Sequence, residues 1–312
     1  MFLQVVGIYS DIGASKKGAA KGVDVLIGLL KENYSDITQK EIKIINNYFS
    51  LPCDQSHAKN IHQIYEFFKC DLIPKMIDIF KTQSLPLIFS GDHFNALGII
   101  QAFKKSYPSK SVAIIWIDAH SDLHTPYDSY SGNMHGMPLG GVVNVIKSGE
   151  NNLDKATQNQ WEQLCQLGGE KAIKPQNITY IGTRSMEKSE RDIIKKFKIP
   201  LYEVSQIRKD TDNAIASIVT SLKNIDAVYL SVDVDVLDGK IFTSTGVREN
   251  NGLYPEELDK CLRLIIEGLN KKLITVEFTE FNPILQDSDE KDDRVLLKII
   301  SNTIDSIRKL FP

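Results

Sequence analysis

Short β-rich runs alternate along this chain with longer stretches in which apolar residues return every three or four positions. The short runs fall at residues 3–10, 41–49, 86–89, 111–118, 177–183, 201–204, 227–233 and 273–280. They are rich in β-branched and aromatic residues and read as about eight strands. Helical periodicity occupies 23–33, 61–81, 96–105, 187–197, 213–222, 255–269 and 292–310. Strands separated by helices pair in parallel through right-handed crossovers. The strand runs are apolar on both faces, as required when helices cover both sides of a sheet. The expected fold is therefore α/β, a three-layer α/β/α arrangement around a central, mostly parallel sheet of about eight strands. One domain covering residues 1–312 is expected. The polar, Gln-rich stretch 151–175, with Gly168-Gly169, breaks the rhythm and reads as an excursion with a short helix around Trp161 and Leu164.

Composition narrows the functional classes without choosing among them. With 37 Lys+Arg against 40 Asp+Glu the 312-residue chain carries a net charge of -3. No basic field exists to recruit nucleic acid or an anionic membrane, so a small-molecule substrate is the better expectation. The first apolar run is short and lacks a basic flank, and no later run approaches the ~20 residues of a membrane span; a cytoplasmic location follows as the expectation. Cys53, Cys70, Cys165 and Cys261 lack CxxC spacing, which favours reduced, structural cysteines over a disulfide framework or zinc site.

The chemistry is concentrated where strands end. Trp116-Ile117-Asp118-Ala119-His120-Ser121-Asp122 follows one apolar run and places Asp118, His120 and Asp122 at alternate positions. Ser231-Val232-Asp233-Val234-Asp235 repeats the device after another run. Residues two apart on an extended backbone face one way, so each set is expected to present its ligands together. Ser90-Gly91-Asp92-His93 adds an imidazole beside a glycine that permits close backbone approach. Thr279-Glu280-Phe281-Asn282-Pro283 closes the last run. Open parallel sheets bind ligands at the carboxyl edge of their strands, so these four segments are expected to converge. Carboxylates and imidazoles without thiolates favour manganese or magnesium over zinc or copper, and the histidines tip the balance to manganese.

On these motifs the chain resembles the ureohydrolase family, the manganese enzymes that include arginase, agmatinase, guanidinobutyrase and formimidoylglutamase. The resemblance runs from Gly13-Ala14-Ser15-Lys16-Lys17-Gly18 to Pro283 and is nearest to arginase in the loop Ser131-Gly132-Asn133-Met134-His135-Gly136-Met137-Pro138. It implies two Mn2+ ions per subunit. His93, Asp118, Asp122 and Asp233 would hold one, and His120, Asp118, Asp233 and Asp235 the other, with Asp118 and Asp233 bridging. It further implies that a metal-activated hydroxide attacks the guanidinium carbon of L-arginine, giving ornithine and urea. Asp122 would orient the hydroxide, Glu280 would grip the guanidinium, and His135 would deliver a proton to the departing amine. Asn133 and Ser131 would meet the substrate α-carboxylate, and Glu187 and Glu190 its α-amino group. A homo-oligomer, trimer or hexamer, is the implied assembly.

Several positions depart from the family pattern or admit a plainer role. Ser90 stands where glycine is usual, Gly239 replaces a proline, and Val247 replaces a threonine. His124 occupies a substrate-side position that commonly holds asparagine, so it is a candidate contact or a surface histidine. Glu187 and Glu190 open a helix, where acids are favoured by the dipole alone. Asp92 and Asp238 suit turns or caps. The competing functions are another ureohydrolase (agmatinase, guanidinobutyrase or formimidoylglutamase) and a non-catalytic regulatory protein that kept the fold.

Overall fold

The computed structural model describes residues 2–47, 56–146, 148–169, 173–287 and 292–310. All eight expected strands are present. They are β1 (Phe2–Tyr9), β2 (Ile42–Ile45), β3 (Ser84–Ser90), β4 (Val112–Ile117), β5 (Ile178–Ile181), β6 (Leu201–Tyr202), β7 (Ala227–Asp233) and β8 (Leu273–Thr279). They form one sheet in the order β2-β1-β3-β8-β7-β4-β5-β6, and every pairing is parallel. The end of the expected run 41–49 and Cys53 lie outside the described residues; Cys70, Cys165 and Cys261 are free thiols.

Alternation along the strands divides the core in two. Ala113, Ile115 and Ile117 of β4 join one apolar cluster with the helices Ala19–Asn33, Pro255–Leu269 and Asp292–Leu310. Ile114 and Trp116 of the same strand join the other, with Phe67, Ile73, Phe103 and Trp161. Helices thus cover both faces, and the layers are α/β/α.

Two local features differ from the expected pattern. The long helix of 61–81 is instead Ile61–Phe67 and Ile73–Phe80 joined by a π turn, Phe68–Leu72. Pro74 supplies the reason, because it has no N–H to donate and its ring crowds the preceding turn of a regular helix. Short helices also occur at Ser35–Thr38, Pro138–Val143 and Val204–Lys209, each too brief for periodicity to reveal. The excursion does contain its helix, Lys155–Gln166, opened by Asp154 accepting from the Thr157 N–H at 2.7 Å.

The topology positions the chemistry. The four segments singled out above follow β3, β4, β7 and β8, and these strands are consecutive neighbours in the order β3-β8-β7-β4. Motifs nearly 200 residues apart therefore open side by side on one edge of the sheet.

Candidate active site

At that edge His93 is the centre of one ligand group. Its Nδ1 lies 3.1 Å from Asp118 Oδ2 and 3.2 Å from both Asp122 Oδ2 and Asp233 Oδ2, yet it makes no hydrogen bond with any of them. Around His120 a second group forms: its Nδ1 is 3.0 Å from Asp235 Oδ2 and 3.6 Å from Asp118 Oδ1. Asp118 thus shows one oxygen to each histidine. Asp233 joins the first group by distance; in the second it acts on the backbone, accepting from the Asp235 N–H at 2.8 Å.

The local backbone reaches this arrangement by a different route from simple strand alternation. β4 stops at Ile117 and β7 at Asp233. Asp235 arrives through a 3-10 turn, Val234–Val236, and Asp122 has a left-handed backbone, φ 52°. Glu280, just past β8, is left-handed too, φ 64°. Such conformations cost about 1 to 3 kcal/mol each in residues other than glycine and collect at functional sites. Here the cost is met by fixed contacts. The Glu280 N–H donates to Gly91 O at 3.0 Å, and its carboxylate accepts from the His93 N–H at 3.0 Å. Gly91 itself is required, because a Cβ there would sit 2.2 Å from Ser10 O.

Surrounding groups hold the ligands in place. Trp116 stacks on His93 with ring centroids 3.9 Å apart and donates its Nε1–H to Asp118 Oδ2 at 2.9 Å. His93 Nε2 meets Ser231 Oγ at 2.8 Å, Ser231 donates onward to Glu277 at 2.9 Å, and the Tyr229 hydroxyl donates to the same carboxylate. Glu277 therefore points away from the cavity and backs His93. Asp92 accepts from the Gly13 and Phe94 N–H groups, each at 2.9 Å, and Asp238 accepts from Lys240 N–H at 3.0 Å; both are structural, as their turn positions suggested.

Charge in this cluster is badly balanced by the protein alone. Asp118, Asp122, Asp233, Asp235 and Glu280 are all buried. Among the described residues no lysine or arginine forms an ion pair with any of the four aspartates. Burial and then the Asp118 charge raise Asp122 to about 7. Burial would raise Asp118 as well, but His120 and His93 outweigh it and hold its carboxyl below the usual range. Burying several carboxylates without cations is expensive, and an unbonded histidine nitrogen facing three of them is the arrangement of a metal-ligand set, not of a hydrogen-bond network. The donor chemistry fits hard to borderline divalent ions.

A cavity of about 390 Å³ opens above this floor. Its lining includes Asp122, His135, Glu190 and Glu280, with Ser131, Asn133, His124 and Glu187 toward the rim. His135 Nδ1 lies 3.1 Å from Glu280 Oε1. Burial disfavours the charged His135 ring, yet Glu280 outweighs it and raises the ring above its usual value; burial likewise raises Glu280, and His135 brings it down. Asn133 Oδ1 accepts from Lys59 at 3.1 Å. Glu187 is the N-cap of the helix Lys188–Phe197 and Glu190 lies in its first turn, accepting from the N–H groups of Glu187 at 2.8 Å and Leu123 at 3.2 Å. The structural role suggested by the helix start is real for Glu190, although it also faces the cavity. His124 turns Nδ1 to Asp128 at 3.2 Å and Nε2 to Glu187 and Glu190, both at 3.5 Å. Burial opposes its charge, but these acids prevail and raise it to about 9.

Trp116, Arg184, Tyr229, Ser231 and Glu249 drew no role from the sequence. Trp116 lies inside the first motif, and its stacking role has no sequence signature.

A parallel sheet whose carboxyl edge gathers this ligand set beneath a small-molecule cavity is the arrangement of an α/β protein with a candidate divalent-metal centre. Comparison with known proteins gives the family. The sequence profile described as the Arginase family matches residues 3–304. An arginase of Staphylococcus aureus (strain MRSA252) is 31% identical over 293 residues, which cover 91% of this chain and 90% of that one. The crystal structure of Helicobacter pylori arginase superposes with a TM-score of 0.86 at 39% identity, covering 97% and 99% of the two chains. Formimidoylglutamase from Bacillus subtilis shares the fold alone, with a TM-score of 0.72 at 17% identity over 98% of this chain and 87% of that one. The chain belongs to the arginase family and is an arginase-type ureohydrolase.

Proposed function

We propose that this protein hydrolyses the guanidinium group of L-arginine to ornithine and urea, using two Mn2+ ions held by His93, Asp118, Asp122 and Asp233 and by His120, Asp118, Asp233 and Asp235. The observation that carries the reading is the pair of ligand groups sharing Asp118, one oxygen toward each histidine. Divalent cations bound there supply Lewis acidity and a water that is nucleophilic at neutral pH.

The chain's own residues do the rest. Glu280 accepts hydrogen bonds from the planar guanidinium fork, for which a carboxylate is the matching partner. That contact holds the guanidinium carbon over the floor, which is worth more than any single bond because attack then needs no diffusional encounter. As oxygen adds to this carbon and its bond to the side-chain nitrogen breaks, the leaving amine needs a proton. His135, kept protonated beside Glu280, supplies it. Asp122, which lines the same cavity beside His93, would accept a hydrogen bond from the attacking water and orient it. Asn133 and Ser131 face the α-carboxylate, with the cationic His124 on the same rim, and Glu187 and Glu190 face the α-amino group. We also propose a cytoplasmic trimer or hexamer, on the family resemblance.

The test is urea release by the manganese-loaded protein with L-arginine, agmatine and 4-guanidinobutyrate in parallel. Selective turnover of L-arginine is expected. Turnover of another compound would keep the hydrolytic reading and overturn the substrate. No turnover with both metals bound would overturn catalysis in favour of a regulatory role.

A further inference from the structure

The two histidines of the floor present the same face to the carboxylates, Nδ1 inward and Nε2 outward, but what stands behind Nε2 differs. Behind His93 is the sealed relay of Ser231, Glu277 and Tyr229. Behind His120 is the cavity wall, where Glu249 Oε1 faces Nε2 at 3.6 Å. His93 is 1% exposed and His120 is 24% exposed.

Glu249 comes from a loop between β7 and the helix Pro255–Leu269, and it is held there from behind. The Arg184 guanidinium donates to the carbonyls of Glu249 and Asn250, both at 2.9 Å, and also to those of Asp235 at 3.1 Å and Leu237 at 3.2 Å. The Gly239 N–H donates to Glu249 O at 2.8 Å. One cation therefore ties the segment carrying Asp235 to the loop carrying Glu249, across the ring of His120. Ser185, bridged to His120 through the backbone, lines the same cavity as Glu249.

We propose that Glu249 is a positioning residue for His120: its carboxylate takes the Nε2–H, which leaves Nδ1 unprotonated and turned toward Asp118 and Asp235 to receive a divalent cation. The inference rests on the metal-dependent reading above. A ligating imidazole must offer a lone pair, and the partner of its other nitrogen decides which nitrogen that is. The two cation positions then differ in kind. The one beside His93 is supported entirely from within the core, and the one beside His120 depends on a rim carboxylate carried by a loop.

Manganese titration of the wild type, Glu249→Gln and Glu249→Ala, followed by the EPR signal of free Mn2+ and by metal content after dialysis, tests this. The wild type is expected to take up two ions. In Glu249→Ala one of the two dissociation constants should rise about 10- to 100-fold with the other unchanged, and the spin-coupled pair spectrum should give way to that of a single ion. Glu249→Gln keeps an acceptor oxygen and should fall between. The metal-free melting temperature of both variants should match the wild type. Two unchanged constants in Glu249→Ala, equal weakening of both, or a raised KM for L-arginine with both constants intact would each overturn the assignment. A wild type that binds no manganese would overturn the functional reading itself.

Discussion

The floor and the rim of the cavity are built on different principles. On the floor Asp118, Asp233 and Asp235 are each anchored by the protein's own framework. Asp118 accepts from the His120 N–H at 2.6 Å and from Trp116, Asp235 from the Ala119 N–H at 3.1 Å, and Asp233 from the Asp235 N–H. On the rim the contacts between charged side chains are longer, His124 Nε2 standing 3.5 Å from both Glu187 and Glu190, and Glu187 is 45% exposed. The difference teaches which part of the reaction each serves. A preorganised floor fixes the chemistry, and a softer rim chooses what is presented to it.

Substitutions can break or sharpen that contrast. The largest effect is expected from Asp118→Ala on the floor, which removes the oxygen pair shared by both ligand groups. Manganese content should fall, and kcat/KM should drop by roughly 10³-fold or more, equivalent to about 4 kcal/mol. Full metal content with near-normal turnover would end the idea of a shared ligand. His135→Ala, between floor and rim, should lower kcat by about 10²- to 10⁴-fold while metal content stays at the wild-type level. Loss of metal in that variant would move His135 onto the floor.

On the rim, His124→Asn should act through pH. The folded-state value of His124 is raised to about 9, so its contribution to stability is complete below the ordinary 6.5 and disappears as pH rises through about 9. Denaturation midpoints of wild type and variant should differ most at pH 6 and converge by pH 9.5; a constant difference would contradict the charge argument. The smallest effect is expected for Glu187→Gln, whose exposed carboxylate should change KM for L-arginine by no more than about tenfold with kcat retained. A collapse of kcat there would make the rim as preorganised as the floor.

How far the sequence revealed each region follows the same division. The eight strands and the convergence of His93, Asp118, His120, Asp122, Asp233, Asp235 and Glu280 were legible, because apolar runs locate strand ends and parallel topology brings the ends together. The reason offered by alternation was incomplete: Asp122 and Asp235 reach the cluster through a left-handed residue and a 3-10 turn, which depend on contacts distant in sequence. Glu249 was not legible, because it sits in an irregular loop and gains meaning only from Arg184 behind it and His120 in front. Glu190 was half legible, since its place in a helix start predicts a cap as readily as a substrate contact. The π turn had a visible cause in Pro74, but periodicity alone runs straight through it.

The sheet's outline has a further consequence, for what the molecule avoids. Its two outer strands are short, four residues at β2 and two at β6, while the inner strands β1, β3, β7 and β8 run to seven or eight. Unpaired N–H and C=O groups at a long flat border invite a foreign strand to add on. Here both borders are brief, and on β2 the exposed Lys43 adds a charge to one of them, two features that discourage such addition.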